Sequence, residues 1–245
     1  MRQSPLFSNI QTGGAVYDSV DQATYKGITL KTFVLLGISI IVAAFMAFAL
    51  PTIIVNNPGV YVTTLIVSSI VGFISVLVGR TSERKAKYAS VIYSVCEGFF
   101  LGSLSFIAEM WVPGAVTTAV FTTIILFTVM LVLFGTGIMR VGSKFRTFAF
   151  GLTLGAIGII LVMSILSLFI ADYGTYLNLM IGIEIFLLFY GVITLSLNFA
   201  EAQNVVQRGA SKDAEWSVAL GLMVSIVYIY VEVIRLIILF AQRDN

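Results

Sequence analysis

Histidine is missing from this sequence of 245 residues, and Cys96 is its only cysteine. These absences exclude an internal disulfide, metal sites built on histidine, cysteine–histidine nucleophiles and imidazole pH switches. A proton sensor working near neutral pH must therefore be built on carboxyl groups, whose protonated form is favoured by burial. Any bound metal is expected to be a hard cation held by oxygen ligands.

Charged residues are also scarce. They make up 11% of the sequence, against about a quarter in soluble domains, while hydrophobic residues make up 59%. So few charges cannot cover a surface that faces water, and the mean hydropathy is +1.03. The sequence therefore predicts an integral membrane protein whose main partner is the lipid bilayer. A net charge of only +2 argues against a nucleic-acid partner.

Seven apolar runs are long enough to cross a bilayer, which takes about 20 residues of helix. The runs are 29–49, 59–79, 88–108, 114–138, 147–170, 177–200 and 215–240. They lack the two-residue alternation of a membrane β-barrel, so the predicted class is an all-α membrane protein with seven transmembrane helices. Pro51 and the stretch 56–59 are expected to end the first helix. Residues 1–27 predict a disordered polar tail, and residues 28–245 predict one transmembrane domain.

Lysine and arginine are absent from the connections at 50–58, 109–114 and 171–177. Most of the basic residues lie instead in the N-terminal region and in the segments 80–87, 140–146 and 208–212. Basic loops stay in the cytoplasm, so this alternation predicts a cytoplasmic N-terminus. After seven crossings the C-terminus would lie outside.

Ionisable residues inside the spans are the candidate functional residues, because a charge at the bilayer centre costs at least about 2.5–3.5 kcal/mol. Glu97, Glu184, Glu232 and Arg235 lie within the spans, and Glu201 lies at the inner end of the sixth. Glu184 and Glu232 lie at similar depths on neighbouring antiparallel helices, so we expect them to share a level. Two adjacent carboxyl groups would hold a proton or share a cation such as calcium.

Two interpretations stay open for these acids. Arg235 follows Glu232 by three residues on the same helix face, and the two could simply neutralise each other. Alternatively, Glu232 could titrate on an ion or proton route. The same choice holds for Glu97, whereas Glu201 is better read as a solvated residue at the headgroup level.

Two small-xxx-small patterns, Gly98 with Gly102 and Gly151 with Gly155, predict close helix packing within the monomer rather than dimer faces. No nucleotide-binding loop, nucleophile elbow or zinc-protease motif is present. The sequence therefore predicts a protein that is not an enzyme and needs no cofactor.

Three stretches resemble one family. The stretch 93–105, YSVCEGFFLGSLS, resembles the third-helix G-L-x-L-G-P segment of the Bax inhibitor-1 (transmembrane BAX inhibitor motif) family, with Ser103 in place of the proline. The stretch 198–209, NFAEAQNVVQRG, resembles that family's sixth-helix exit, and 230–237, YVEVIRLI, resembles its final Y-L-D-I-I-N-I-F helix. Their order and the seven-span layout are most similar to a bacterial branch.

The resemblance implies six helices around a central seventh, in a bacterial cytoplasmic membrane. It also implies a pH-sensitive calcium leak controlled by an aspartate pair on the last two helices. Glu232 stands where the seventh-helix aspartate would be. A gapless match places Ala202 at the sixth-helix aspartate, a one-residue shift places Glu201 there, and Asn204 is a further polar candidate.

The depth of each residue in the membrane, counted along its helix, favours a different pair. Glu232 follows Glu215 by 17 residues, so a straight seventh helix would raise Glu232 by ~25 Å above its start, out of reach of Glu201. Either residues 211–222 lie along the membrane interface, or the partner of Glu232 is Glu184. We rank Glu184 slightly ahead.

The leading hypothesis is a cation leak, with calcium as the first candidate, gated by carboxyl protonation. Glu232 would be its core, Glu184 or Glu201 the partner, Glu97 a midplane contact and Arg235 the counter-charge of the closed form. The alternative is a regulator of membrane proteins, such as a membrane-anchored ATP-dependent protease, acting through the N-terminal tail. A proton-coupled carrier of small solutes is a third possibility.

Overall fold

The computed structural model describes residues 22–56, 58–136, 141–167 and 173–243. These residues form seven α-helices and no strand. The helices are α1 Tyr25–Asn56, α2 Pro58–Thr81, α3 Glu83–Trp111, α4 Ala115–Gly135, α5 Ser143–Leu166, α6 Tyr173–Gln207 and α7 Ala214–Arg243. Each is long and apolar enough to cross a membrane. The predicted all-α, seven-span, multi-pass membrane protein is therefore confirmed.

Helix α1 ends at Asn56, within the predicted stretch 56–59, but the predicted break at Pro51 is wrong. Helix α1 continues to Asn56 with Pro51 inside it. A proline removes one backbone hydrogen bond, but membrane helices tolerate it because neighbouring groups satisfy the freed carbonyl. Helix α6 likewise extends beyond its predicted run, so Glu201 lies within the helix rather than at its end. Arg140 lies outside the described residues.

The predicted polar tail is folded where the structure describes it. Gln22 forms an isolated antiparallel bridge with Ser211, and the Ala23 N–H donates to the Ala210 carbonyl at 2.8 Å. Helix α1 then begins at Tyr25, so a disordered tail up to residue 27 is not what is found. Backbone pairing with the α6–α7 loop accounts for the difference. Residues 1–21 lie outside the described residues.

Helix α7 lies at the centre of the bundle. It packs against α1, α2, α3, α4 and α6. Half of its most apolar window is buried, 50% against 17–39% in the other helices. This arrangement agrees with six helices around a central seventh. Helix α5 is the peripheral one, since among the described helices it packs only on α6.

Glycines bring α1 and α3 together. A Cβ atom on Gly102 would lie 2.6 Å from the Ala43 carbonyl oxygen, and one on Gly98 would lie 2.6 Å from Cβ of Val42. Packing within the monomer is therefore confirmed for this pair. The same prediction is wrong for Gly151 and Gly155, where a Cβ atom would meet nothing within 4 Å of the described residues.

This difference predicts unequal effects of alanine. Gly102→Ala should lower the free energy of unfolding by about 1–3 kcal/mol, because the added methyl group forces α1 and α3 apart. Gly155→Ala is the matched control and should leave the free energy of unfolding unchanged or raise it, since its methyl group meets no atom of the described residues within 4 Å. Thermal unfolding in detergent measures both, and equal stabilities would show that the close α1–α3 contact is wrong.

Candidate functional site

Glu184 and Glu232 meet between α6 and α7. Both are buried, with 9% and 2% of their surface exposed. Their carboxyl groups are close enough to interact electrostatically. Nη1 of Arg235 lies 4.0 Å from Oε1 of Glu184 and 3.7 Å from Oε1 of Glu232. The structure thus brings together the two acids that depth counting paired, beneath one guanidinium group.

The charges of this cluster are not balanced when both acids are ionised. One guanidinium group then faces two carboxylates, and the Arg235 side chain is 48% exposed. In the described part of the chain, Oε2 of Glu184 and Oε2 of Glu232 have no hydrogen-bond partner. Buried polar atoms are normally satisfied, so a proton, a cation or water is the expected partner. The Glu232–Arg235 pair exists, but its contact with Glu184 makes it more than an intrahelical pair.

Two tyrosines extend the cluster towards α5. Tyr228 lies one turn before Glu232 and interacts with its carboxyl group. The Tyr228 ring packs edge-to-face on Tyr190, with centroids 6.0 Å apart. Glycine is needed at Gly191, because a Cβ atom there would lie 2.8 Å from the Tyr228 ring. The Tyr190 hydroxyl is in turn 3.2 Å from the Thr153 hydroxyl. Sequence reasoning missed both tyrosines, although the four-residue spacing of Tyr228 and Glu232 is visible.

Glu201 takes part in a different ion pair. Its Oε2 lies 2.7 Å from Nη2 of Arg80 on α2, whose Nη1 donates to the Ser217 carbonyl at 3.2 Å. The 17 residues between Glu184 and Glu201 on α6 separate them by ~25 Å along the helix. Because α7 is continuous from Ala214, residues 211–222 do not lie along the interface as one of the predicted alternatives required.

Glu97 stands apart from the acid pair. It is half-buried on α3, and its carboxyl group interacts with Tyr93 one turn earlier. No ion pair or hydrogen bond joins it to Glu184 or Glu232 among the described helices. Its role as a midplane contact stays a prediction.

Sequence reasoning also missed a buried ion pair at the start of α7. Glu215 is 1% exposed, and its Oε2 lies 2.6 Å from Nζ of Lys31 on α1. Its Oε1 accepts hydrogen bonds from the Thr24 N–H at 2.8 Å and the Thr24 hydroxyl at 3.2 Å. The Lys31 ammonium also donates to the Lys212 carbonyl and lies 5.0 Å from the centre of the Trp216 ring. A signal was available, because Lys31 is the one charge within the first apolar run.

The acid pair has few ligands for a tightly held metal. Among the residues that the structure describes, no group of three or more histidine, cysteine, aspartate or glutamate side chains converges. Calcium takes six to eight oxygen ligands, so two carboxylates would need water to complete the shell.

A family model described as Bax inhibitor 1 like matches residues 4–242. The chain belongs to this family. The match covers nearly the whole sequence and confirms the resemblance carried by the three short stretches. No curated protein and no solved structure matches the chain. As a member of the Bax inhibitor 1 like family, the protein has seven described helices and carries the Glu184–Glu232 pair on α6 and α7.

The Lys31–Glu215 pair predicts a large effect of removing one partner. Lys31→Met should lower the free energy of unfolding by about 3–5 kcal/mol, because it leaves a buried carboxylate uncompensated. Lys26→Met is the matched control on an exposed lysine and should change it little. Combining Lys31→Met with Glu215→Leu should recover much of the loss. If Lys31→Met is as stable as Lys26→Met in thermal unfolding, the buried pair does not stabilise the fold.

Proposed function

We propose that this protein is a pH-sensitive cation leak channel, with calcium as the first candidate ion, gated by the carboxyl groups of Glu184 and Glu232. The observation that carries the proposal is the position of these two buried carboxyl groups under the single, half-exposed guanidinium group of Arg235. A leak requires no catalytic group and no cofactor, in keeping with the missing catalytic motifs.

The gating step is an exchange of electrostatic partners. In the closed form Arg235 attracts both carboxylates and holds α6 against α7. Protonation of either carboxyl group removes half of that attraction, so the arginine is released more easily. A cation competes with Arg235 for the same oxygen atoms. Flux is therefore expected to rise as pH falls.

Polar contacts along the seam between α6 and α7 support a path that reaches the acid pair. The buried Asn198 amide donates to the Ser225 hydroxyl at 2.7 Å, between the level of Glu201 and that of Glu184. A Cβ atom on Gly221 would lie 2.5 Å from Oδ1 of Asn198. Polar groups thus recur along this seam between the Arg80–Glu201 pair and Glu232.

The distribution of basic residues supports an orientation. With the basic loops inside, the N-terminus is cytoplasmic and the C-terminus is outside. Glu184 and Glu232 then lie in the outer half of a bacterial cytoplasmic membrane, and the Arg80–Glu201 pair lies near the cytoplasmic mouth.

Neutral variants of the acids test the leak. In liposomes containing a calcium-sensitive dye, Glu232→Gln should raise calcium flux about 5-fold or more at about pH 7.5, because it imitates the protonated form. It should also flatten the dependence of flux on pH between about pH 5 and about pH 8. Glu184→Gln should behave in the same way.

Glu201→Gln is the matched control for this experiment, since it neutralises an acid on the same helix that is paired elsewhere. It should retain the pH dependence of the unmodified protein. Unchanged flux and unchanged pH dependence in both Glu184→Gln and Glu232→Gln would refute the proposal. A loss of pH dependence in Glu201→Gln alone would instead move the gate to the Arg80–Glu201 pair.

The second candidate function is regulation of another membrane protein, such as a membrane-anchored ATP-dependent protease. It is favoured by the docking of Gln22 and Ala23 on the α6–α7 loop, which fixes the base of the tail at one end of the bundle. A partner bound by the tail would then be held against that loop. A proton-coupled carrier stays a prediction.

A tail deletion separates a leak from a regulator. Removing residues 2–20 keeps Thr24 and its contacts with Glu215, so the bundle should remain folded. A leak should retain its calcium flux within about twofold, because the α6–α7 seam is untouched. A tail-mediated regulator should lose its effect on the partner's proteolytic rate. Replacing residues 2–20 by a Gly/Ser stretch of equal length controls for the length of the tail.

A further inference from the structure

A crevice of about 620 Å³ opens between α5 and α6 at the end of the bundle that carries the basic loops. Helix α5 contributes Arg146, Phe150 and Thr153 to its wall. Helix α6 and the residue after it contribute Leu197, Glu201, Asn204 and Arg208, and Glu83 closes the crevice from the start of α3. It lies well apart along α6 from the Glu184–Glu232 pair.

The wall of the crevice is cationic at its mouth and becomes mainly apolar with depth, apart from Glu201, Asn204 and Thr153. Arg146 is in the first turn of α5, and Thr153 is two turns further in, ~10 Å deeper. Arg208 directly follows α6, whereas Leu197 lies ~16 Å back along that helix. The guanidinium groups are therefore at the level of lipid headgroups, and the apolar wall reaches into the hydrocarbon. A phospholipid presents its phosphate and its acyl chains in this same order.

The charges of the crevice favour an anion. Glu201 is neutralised by Arg80 at 2.7 Å. Arg146 and Arg208 are exposed, and neither takes part in an ion pair with any residue that the structure describes. The remaining acid is Glu83, whose Oε2 accepts a hydrogen bond from the Ser211 hydroxyl at 3.0 Å. Two free guanidinium groups thus face one carboxylate, which leaves a net positive charge that one phosphodiester would balance.

The side of the crevice is open to lipid. Helix α5 packs on no described helix except α6, and the Phe150 side chain is 65% exposed. A lipid molecule can therefore enter from the bilayer and lie along Phe150 and Leu197. A water-soluble anion would use the arginines but not this apolar wall.

We infer that this crevice is a binding site for an anionic phospholipid. Arg146 and Arg208 hold its phosphodiester, and an acyl chain packs along Phe150 and Leu197. Basic pockets between transmembrane helices are suited to such headgroups, because arginine binds phosphate through two parallel hydrogen bonds. The site does not depend on the proposed leak.

Native mass spectrometry of the full-length protein in detergent tests the site. Titration with phosphatidylglycerol should give one bound lipid at lower concentration than phosphatidylethanolamine with the same acyl chains. The double variant Arg146→Gln/Arg208→Gln should bind phosphatidylglycerol about 30-fold more weakly, since each arginine contributes about 1 kcal/mol. Arg146→Lys/Arg208→Lys should retain most of the affinity.

The matched control is Arg84→Gln/Lys144→Gln, which removes the same charge from exposed residues outside the crevice. It should bind within about twofold of the unmodified protein, because neither residue lines the crevice that holds the phosphodiester. An equal loss in this control would show general surface attraction and overturn the site. Equal binding of phosphatidylethanolamine, or displacement of the lipid by glycerol 3-phosphate, would overturn it as well. Thermal unfolding of both double variants should match the unmodified protein, since all four residues are exposed.

Discussion

The burial of α7 inside the other helices is the constraint on which the rest of the structure depends. Helix α7 contacts five other helices, and half of its most apolar window is buried. An ionised side chain on its inner faces needs a partner there, because packing shields these faces from lipid and from bulk water. Glu215 pairs with Lys31 near one end of the helix, and Glu232 contacts Arg235 and lies beside Glu184 towards the other.

These two charge clusters differ in how their oxygen atoms are satisfied. Both carboxylate oxygens of Glu215 have partners, whereas Glu184 and Glu232 each have one oxygen without a hydrogen-bond partner in the described residues. Satisfied charges fix a structure, and unsatisfied ones are available to a proton or a cation.

The number and type of helices could be read from the sequence, because hydrocarbon thickness sets a length that each apolar run either reaches or does not. The ends of the helices could not. Pro51 was predicted to stop α1, yet the helix continues for five residues beyond it, since a helix in a membrane keeps its backbone hydrogen bonds wherever neighbouring groups allow.

The glycine patterns show a similar limit of what a local sequence pattern can predict. The spacing of Gly151 and Gly155 is identical to that of Gly98 and Gly102. Among the described residues, however, only Gly98 and Gly102 lie against another helix. Spacing describes one helix face and says nothing about what lies opposite.

The candidate site was predictable to the extent that it depends on depth. Glu184 and Glu232 lie on consecutive antiparallel helices, so counting residues from the same side of the membrane places them at one level. Glu215 joins α7 to Lys31 on α1 across a sequence separation of 184 positions, and Glu201 joins α6 to Arg80 on α2 across 121 positions. No local sequence pattern encodes contacts over such separations. A charge within an apolar run is nevertheless a signal that a partner exists, as Lys31 demonstrates. The identity of that partner is set by tertiary packing alone.

The Arg80–Glu201 pair connects the α5–α6 crevice to α7. Glu201 lies both on the wall of the α5–α6 crevice and against Arg80, which in turn donates to the Ser217 carbonyl of α7. While Arg80 neutralises Glu201, the guanidinium groups of Arg146 and Arg208 outnumber the remaining carboxylate of the crevice. If α2 or α7 moved so that Arg80 left Glu201, the freed carboxylate would cancel the net positive charge of the crevice and weaken its attraction for an anionic headgroup. The position of α7 and the occupancy of the proposed lipid site between α5 and α6 are thus linked through the carboxyl group of Glu201. Such a link is reciprocal: a lipid that binds better while Arg80 holds Glu201 must also favour the arrangement of α2, α6 and α7 in which the two are paired.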